Sequence, residues 1–182
     1  MPSLSEDERR AILELARQSM REAVCQHRML SSFPMDGIFG SVCGVFVSLH
    51  VEGKLRGCIG MIDPNEPLGM SIAQCAASAA LHDPRFAPMR EEEVEHTDIE
   101  VSVLSPLQVI RPEDIKIGKH GLLIEQGRHR GLLLPQVATE HGLNAERFLE
   151  ETCRKAGLPR DAWKSEATAI YGFTSEIVAD QE

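Results

Sequence analysis

The chain has 182 residues, 42% of them hydrophobic, with 28 acidic against 19 basic side chains and a formal charge of −9. That length and apolar content suffice for a substantial core in one domain, or in one domain of two lobes. The acidic balance opposes the long-range attraction that nucleic acid or an anionic membrane exerts, no stretch reaches the apolar length of a membrane span, and Met1 to Arg10 lacks the basic start and apolar run of a secretory signal.

Ser5 and Glu8 form a capping-box pattern, and Ile12, Leu13, Ala16, Met20, Ala23 and Val24 follow at helical spacing, which predicts a first helix from about Glu6 to about Met29. After a loop over Ser31 to Gly40, Val42 to His50 and Lys54 to Met61 read as two strands joined by Glu52-Gly53, an antiparallel hairpin. Leu68 to Leu81 is rich in alanine and predicts a helix packed closely on the sheet, ended by His82-Asp83-Pro84. Met89 to Glu95 is a charged turn or short helix. Ile99, Val101 and Val103 then alternate with Asp98, Glu100 and Ser102, the period of a half-buried strand over Thr97 to Leu104.

A second pattern starts at Ile115: Leu122 to Gln126, a Gly127-Arg128 turn and Gly131 to Leu134 predict a small sheet of their own. Gln136 to Glu140 is a short helix, Asn144 caps a longer one over Ala145 to Lys155, and Gly157 ends it. Ala167 to Val178 reads as one final strand. The expected fold is α+β and two-lobed: an antiparallel sheet with flanking helices, about 1–110 and 165–182, plus a smaller inserted α+β lobe, about 111–164. A cleft between the lobes is expected.

The five cysteines, Cys25, Cys43, Cys58, Cys75 and Cys153, are an odd number and include no Cys-x-x-Cys pair, the usage of reduced thiols in a cytoplasmic protein. Four lie in apolar or helical surroundings as small buried hydrophobes. Cys58 stands apart, inside Leu55-Arg56-Gly57-Cys58-Ile59-Gly60. Strand alternation predicts Leu55, Gly57 and Ile59 on one face, with Leu55 and Ile59 as core anchors. Arg56, Cys58 and Gly60 fall on the other, guanidinium and thiol roughly 7 Å apart along the backbone at a rise of about 3.3 Å per residue. A fixed cation beside a thiol favours thiolate. Gly57 and Gly60 point to close approach by a ligand, by a second backbone or at a bulge. The competing reading makes Cys58 a buried filler and both glycines packing devices.

His82-Asp83-Pro84-Arg85-Phe86 follows the helix expected to return across this strand. In one reading His82 is a base to Cys58, oriented by Asp83 or Glu100; in the other, His82 and Asp83 cap the helix while Arg85 pairs with an acid. His120 and Gln136, at the edges of the inserted lobe, are candidates to complete the cleft. The seven histidines are scattered without His-Glu-x-x-His, so no metal site is expected from sequence, although the fold is free to assemble one from Cys58, His82 and a carboxylate. No phosphate-binding glycine loop is present, and no cofactor is specified.

Gly44 to Leu49, Leu55 to Gly60, Asp83 to Phe86, Glu100 to Leu104, Gly131 to Ala138 and Lys155 to Pro159 together resemble the AMMECR domain family, named for the Alport syndrome and elliptocytosis chromosomal region protein. The resemblance runs from about Gly44 to the C-terminus. It implies a two-lobed α+β fold with antiparallel sheets, and it implies that the six-residue motif with Arg56 and Cys58 is the functional element. It also implies Memo-like proteins and radical S-adenosylmethionine enzymes as partners in microbes. It carries no reaction.

Two functions follow as expectations. In the first, a cleft at the motif binds a small molecule or peptide through Arg56, Gly57, Gly60, Asp83, Arg85, Glu100, His120 and Gln136, with Cys58 as nucleophile and His82 assisting, a cysteine-dependent enzyme of unspecified reaction. In the second, the chain is a noncatalytic binding module for a Memo-like or radical enzyme. A third, handling RNA, runs against the net charge.

Overall fold

Ser5 starts the first helix as expected: its Oγ accepts the Glu8 N–H, and the Glu8 carboxylate accepts the Ser5 N–H at 2.8 Å. This helix, α1, spans Glu6–Gln26 and stops short of Met29, because His27 turns left-handed at φ 51° and closes the last turn on Glu22. The computed structural model describes residues 4–180. The beginning of the Met1 to Arg10 stretch and the last two residues lie outside them.

The chain divides into two units, Met1–Leu104 with Glu176–Glu182, and Ser105–Ser175. In the first, β1 (Val45–Val51) and β2 (Lys54–Met61) form the expected hairpin, with Glu52 and Gly53 both at positive φ in the turn. Next come α2 (Leu68–Leu81), the single-turn α3 (Glu91–Val94) and β3 (Thr97–Leu104). The sheet order is β2-β1-β3-β8, where β8 is Ser175–Ala179, so β2 is an edge strand. Val45, Val47, Leu49, Ile99, Val101 and Val103 are buried in one core with Ile12, Leu15 and Met20 of α1 and Leu68, Ile72 and Ala76 of α2. The small residues of α2 let its backbone come close to β2. A Cβ on Gly57 would sit 2.0 Å from the Ala79 carbonyl oxygen, so only glycine fits there.

The second unit has a sheet of order β4-β7-β5-β6, made of β4 (Gln108–Val109), β5 (Gly121–Gln126), β6 (His129–Leu133) and β7 (Ala169–Phe173), antiparallel throughout. Its core joins Leu122, Ile124 and Ile170 to Ala138 of α4 (Pro135–Glu140) and to Phe148, Leu149 and Cys153 of α5 (Ala145–Lys155). Asn144 accepts the Arg147 N–H to start α5, and Gly157 at φ 74° follows its end, both as the residue types dictate.

One expectation fails instructively. Ala167 to Val178 is not a single strand: β7 and β8 belong to different sheets, and the chain breaks at Thr174, whose backbone exchanges hydrogen bonds with Ser105. The second unit is accordingly wider than 111–164, because β4 and β7 pair within its sheet.

Candidate functional site

The strand carrying the six-residue motif is interrupted by a bulge. Its pairing with β1 runs Ser48↔Cys58 and Leu49↔Gly57 but then His50↔Leu55, which leaves Arg56 as the extra residue. One residue of slip exchanges the faces of a strand. Gly57 and Ile59 therefore face the core beside Leu49 and Val47, whereas Leu55 pairs with His50 on the outer face, 40% exposed. This corrects the placement of Leu55 as a core anchor. Ile59 does pack on the core.

Arg56 is also corrected as the partner of the thiol. Its guanidinium takes the Glu93 carboxylate in a two-point pair, Nε to Oε1 at 2.7 Å and Nη2 to Oε2 at 3.1 Å, and donates to the carbonyls of Ala87 and Pro88. The Arg56 guanidinium holds Glu93 below the usual carboxylate range against the opposing effect of burial. These bonds tie β2 to α3 and to the segment that enters it.

Cys58 is gripped through its main chain. On an edge strand its N–H and C=O point away from the sheet, and both are met: the N–H donates to Asp83 Oδ2 at 2.9 Å, and the carbonyl accepts from Arg85 Nη2 at 3.3 Å. Asp83 and Arg85 thus do for one residue what a neighbouring strand would do. They also bind each other, Arg85 Nη2 to Asp83 Oδ2 at 2.7 Å and Arg85 Nε to Oδ1 at 3.0 Å, while the Arg85 N–H adds a third bond to Oδ1. Hydrogen bonds from the Arg85 side chain hold the buried Asp83 carboxyl far below the usual carboxylate range, with the Cys58 and Arg85 N–H groups adding to them against desolvation. The acid that one reading of this segment expects Arg85 to pair with is Asp83 itself.

Because the main chain of Cys58 points outward, Ser48↔Cys58 is a non-hydrogen-bonded pair, the kind in which opposed side chains come closest. The Ser48 hydroxyl donates to Cys58 Sγ at 3.1 Å. Cys58 is half-buried. The charged form of Arg85 is favoured chiefly by Asp83 and, to a smaller degree, by Cys58. Glu100 lies opposite Ser48 on β3, so Cys58, Ser48 and Glu100 make one row across three strands on the outer face. Two strand spacings, roughly 10 Å, separate Glu100 from Cys58.

Among the described residues His82 makes no hydrogen bond to the thiol. His82 is the C-cap of α2; its N–H bonds Ser78, and among the described residues its imidazole has no hydrogen bond. The close approaches at the two glycines are internal: Gly57 receives the α2 backbone, and the ring of Phe46 lies where a Gly60 side chain would be, 2.2 Å from an added Cβ. His120 and Gln136 belong to the second unit. His120 Nδ1 accepts the Lys116 N–H at 3.2 Å, and burial, reinforced by the charges of Lys119 and Lys116, pushes this ring toward its neutral form. Gln136 Oε1 is buried without a hydrogen-bond partner among the described residues. Among the described residues no group of three or more His, Cys, Asp or Glu side chains is arranged to hold a metal ion, and no helix is long and apolar enough to cross a membrane.

Two residues that complete this site, Ser48 and Glu93, were not singled out from sequence. Ser48 carried one signal, its place on the polar phase of β1. Glu93 sits in the run Glu91-Glu92-Glu93, where nothing local distinguishes it from its neighbours.

A family model described as AMMECR1 matches residues 13–178. A protein of Methanothermobacter thermautotrophicus is 45% identical over 183 residues, covering 96% of this chain and 95% of that protein. A protein of Thermococcus onnurineus is 43% identical, with 93% and 89% covered. The crystal structure of protein PH0010 from Pyrococcus horikoshii superposes with a TM-score of 0.84 at 41% identity, over 91% of this chain and 88% of that one.

Proposed function

The chain belongs to the AMMECR1 family, and from that premise we propose that the outer face of the first sheet, centred on Leu55 to Gly60, binds a small molecule or peptide on which Cys58 acts as a thiol nucleophile. One observation carries the reading: the main chain of Cys58 is immobilised by Asp83 and Arg85 while its half-buried sulfur is left as the acceptor of the Ser48 hydroxyl. A fixed nucleophile loses little orientational freedom on attack. In the covalent step the sulfur electron pair bonds to an electrophilic carbonyl carbon, the carbonyl pair moves to its oxygen, and the thiol proton passes through water to that oxygen. Five free cysteines agree with action in the cytoplasm.

Iodoacetamide labelling resolved by residue tests this reading. Cys58 is expected to label faster than N-acetylcysteine and than half-buried Cys25, and Ser48→Ala is expected to change its rate. Labelling no faster than N-acetylcysteine, and indifferent to Ser48→Ala, overturns it.

A second reading has an observation of its own. Arg56, Asp83 and Arg85 are engaged in internal bonds, and among the described residues no imidazole is hydrogen-bonded to Cys58. That favours a noncatalytic module docking onto a Memo-like protein or a radical S-adenosylmethionine enzyme. Under it, Cys58→Ser retains binding to the purified Memo-like partner and biological output, whereas the nucleophile reading requires output to be lost with the fold intact.

A further inference from the structure

The second unit carries a groove that the site around Cys58 does not use. It is an open concavity of about 610 Å³ between the end of β6, the α4 region and α5, within the range of roughly 300–1,000 Å³ that small-ligand pockets occupy. Its floor is Leu133, Val137 and Leu143, partly buried side chains resting on the core of the unit. His141, Glu151, Arg154 and Lys155 make its rim.

The charges of the rim are unbalanced. Glu151 is shared by two guanidiniums, Arg154 at 2.7 Å and Arg160 at 3.4 Å. Lys155 takes part in no ion pair among the described residues. The rim therefore holds two cations, Arg154 and Lys155, against one carboxylate that Arg160, outside the rim, also pairs, in a chain that carries 28 acidic side chains against 19 basic. Helix C-termini attract cations, which accounts for basic residues in the last turn of α5. It does not account for an apolar floor beside them.

We propose that this groove binds a small organic acid: the apolar body lies on Leu133, Val137 and Leu143, and the carboxylate meets Lys155 and Arg154 at the rim. Exposed arginines sharing a carboxylate gain little from that pairing, so Arg154 is free to turn to a ligand while Arg160 keeps Glu151. Two requirements follow, an apolar body and a negative head, and each is separately testable.

Amide NMR titration of the intact protein with octanoate, and in parallel with octylammonium, reads both. Octanoate is expected to give saturable shifts at Leu133, Val137, Leu143 and Lys155 in the millimolar range, and octylammonium to bind at least about tenfold more weakly. Lys155→Glu, which alters an exposed side chain and should leave the spectrum dispersed, is expected to weaken octanoate by about tenfold. Leu143→Asp should abolish the shifts; if that variant unfolds, acetate replaces it as the probe without an apolar body, and it is expected not to saturate. Absence of saturable shifts with octanoate, equal binding of octylammonium, or indifference to Lys155→Glu each overturns the proposal.

Discussion

Asp83 is almost wholly removed from solvent, its side chain 2% exposed, yet it remains charged because four donors converge on its two oxygens. Asp83→Ala strips these bonds and leaves the Cys58 N–H at the sheet edge without its acceptor. Charge-assisted hydrogen bonds contribute about 1.5–3 kcal/mol each way they are measured, so a loss of about 2–3 kcal/mol in urea unfolding is expected. The pH dependence has a definite sign. The carboxyl of Asp83 is depressed in the folded chain, so its contribution is complete above the ordinary aspartate value of about 4 and is lost as pH falls from there toward the folded value. The stability gap between the wild type and Asp83→Asn should therefore be constant near neutrality and close progressively in acid; a gap that widens in acid contradicts the assignment. Glu93, held down by Arg56, loses its contribution in the same direction in both proteins.

At the scale of elements, the two glycines of the motif make a matched pair of tests. At Gly57 an added methyl meets backbone, the Ala79 carbonyl at 2.0 Å, so α2 as a whole must move. Overpacking of that kind costs about 3 kcal/mol or more. At Gly60 the obstacle is the Phe46 ring, a side chain able to turn aside, and Gly60→Ala should cost about 1 kcal/mol. Thermal unfolding of both variants checks the order, and pairing Gly60→Ala with Phe46→Leu should recover part of the loss while no single side-chain change rescues Gly57→Ala. The hairpin shows why so much of this was hidden from sequence. Counting back from the turn at Glu52-Gly53 pairs His50 with Leu55 correctly, but then sets Gly57, not Cys58, against Ser48. The bulge at Arg56 supplies the missing residue. Nothing in the local sequence demands it; the bond from Arg56 to Glu93, thirty-seven residues away, accompanies it.

For the whole molecule, burial sorts the five cysteines. Cys43, Cys75 and Cys153 are buried, and Cys25 and Cys58 are half-buried. Burial, with a smaller contribution from Cys58, pushes the Cys75 thiol up to about 12, so this group stays protonated at ordinary pH. Native protein should release about two equivalents of thiol to Ellman's reagent promptly, and all five in guanidinium chloride; three or more prompt equivalents would contradict the packing of the cores. What the sequence determined by itself was local or periodic. The span of α2, the strand Thr97–Leu104, the capped start of α1 and the helix Ala145–Lys155 follow from hydrophobic period and capping chemistry, which act within a few residues. The α+β fold and the family were legible for the same reason, as strings of residues in order. Tertiary structure alone decided which neighbours each polar group meets. It gave Arg56 to Glu93, clamped Cys58 between Asp83 and Arg85, left His82 without a bond to the thiol, and divided the last strand between two sheets at Thr174. Those outcomes depend on register and on contacts between distant segments, and a one-residue bulge is enough to change them.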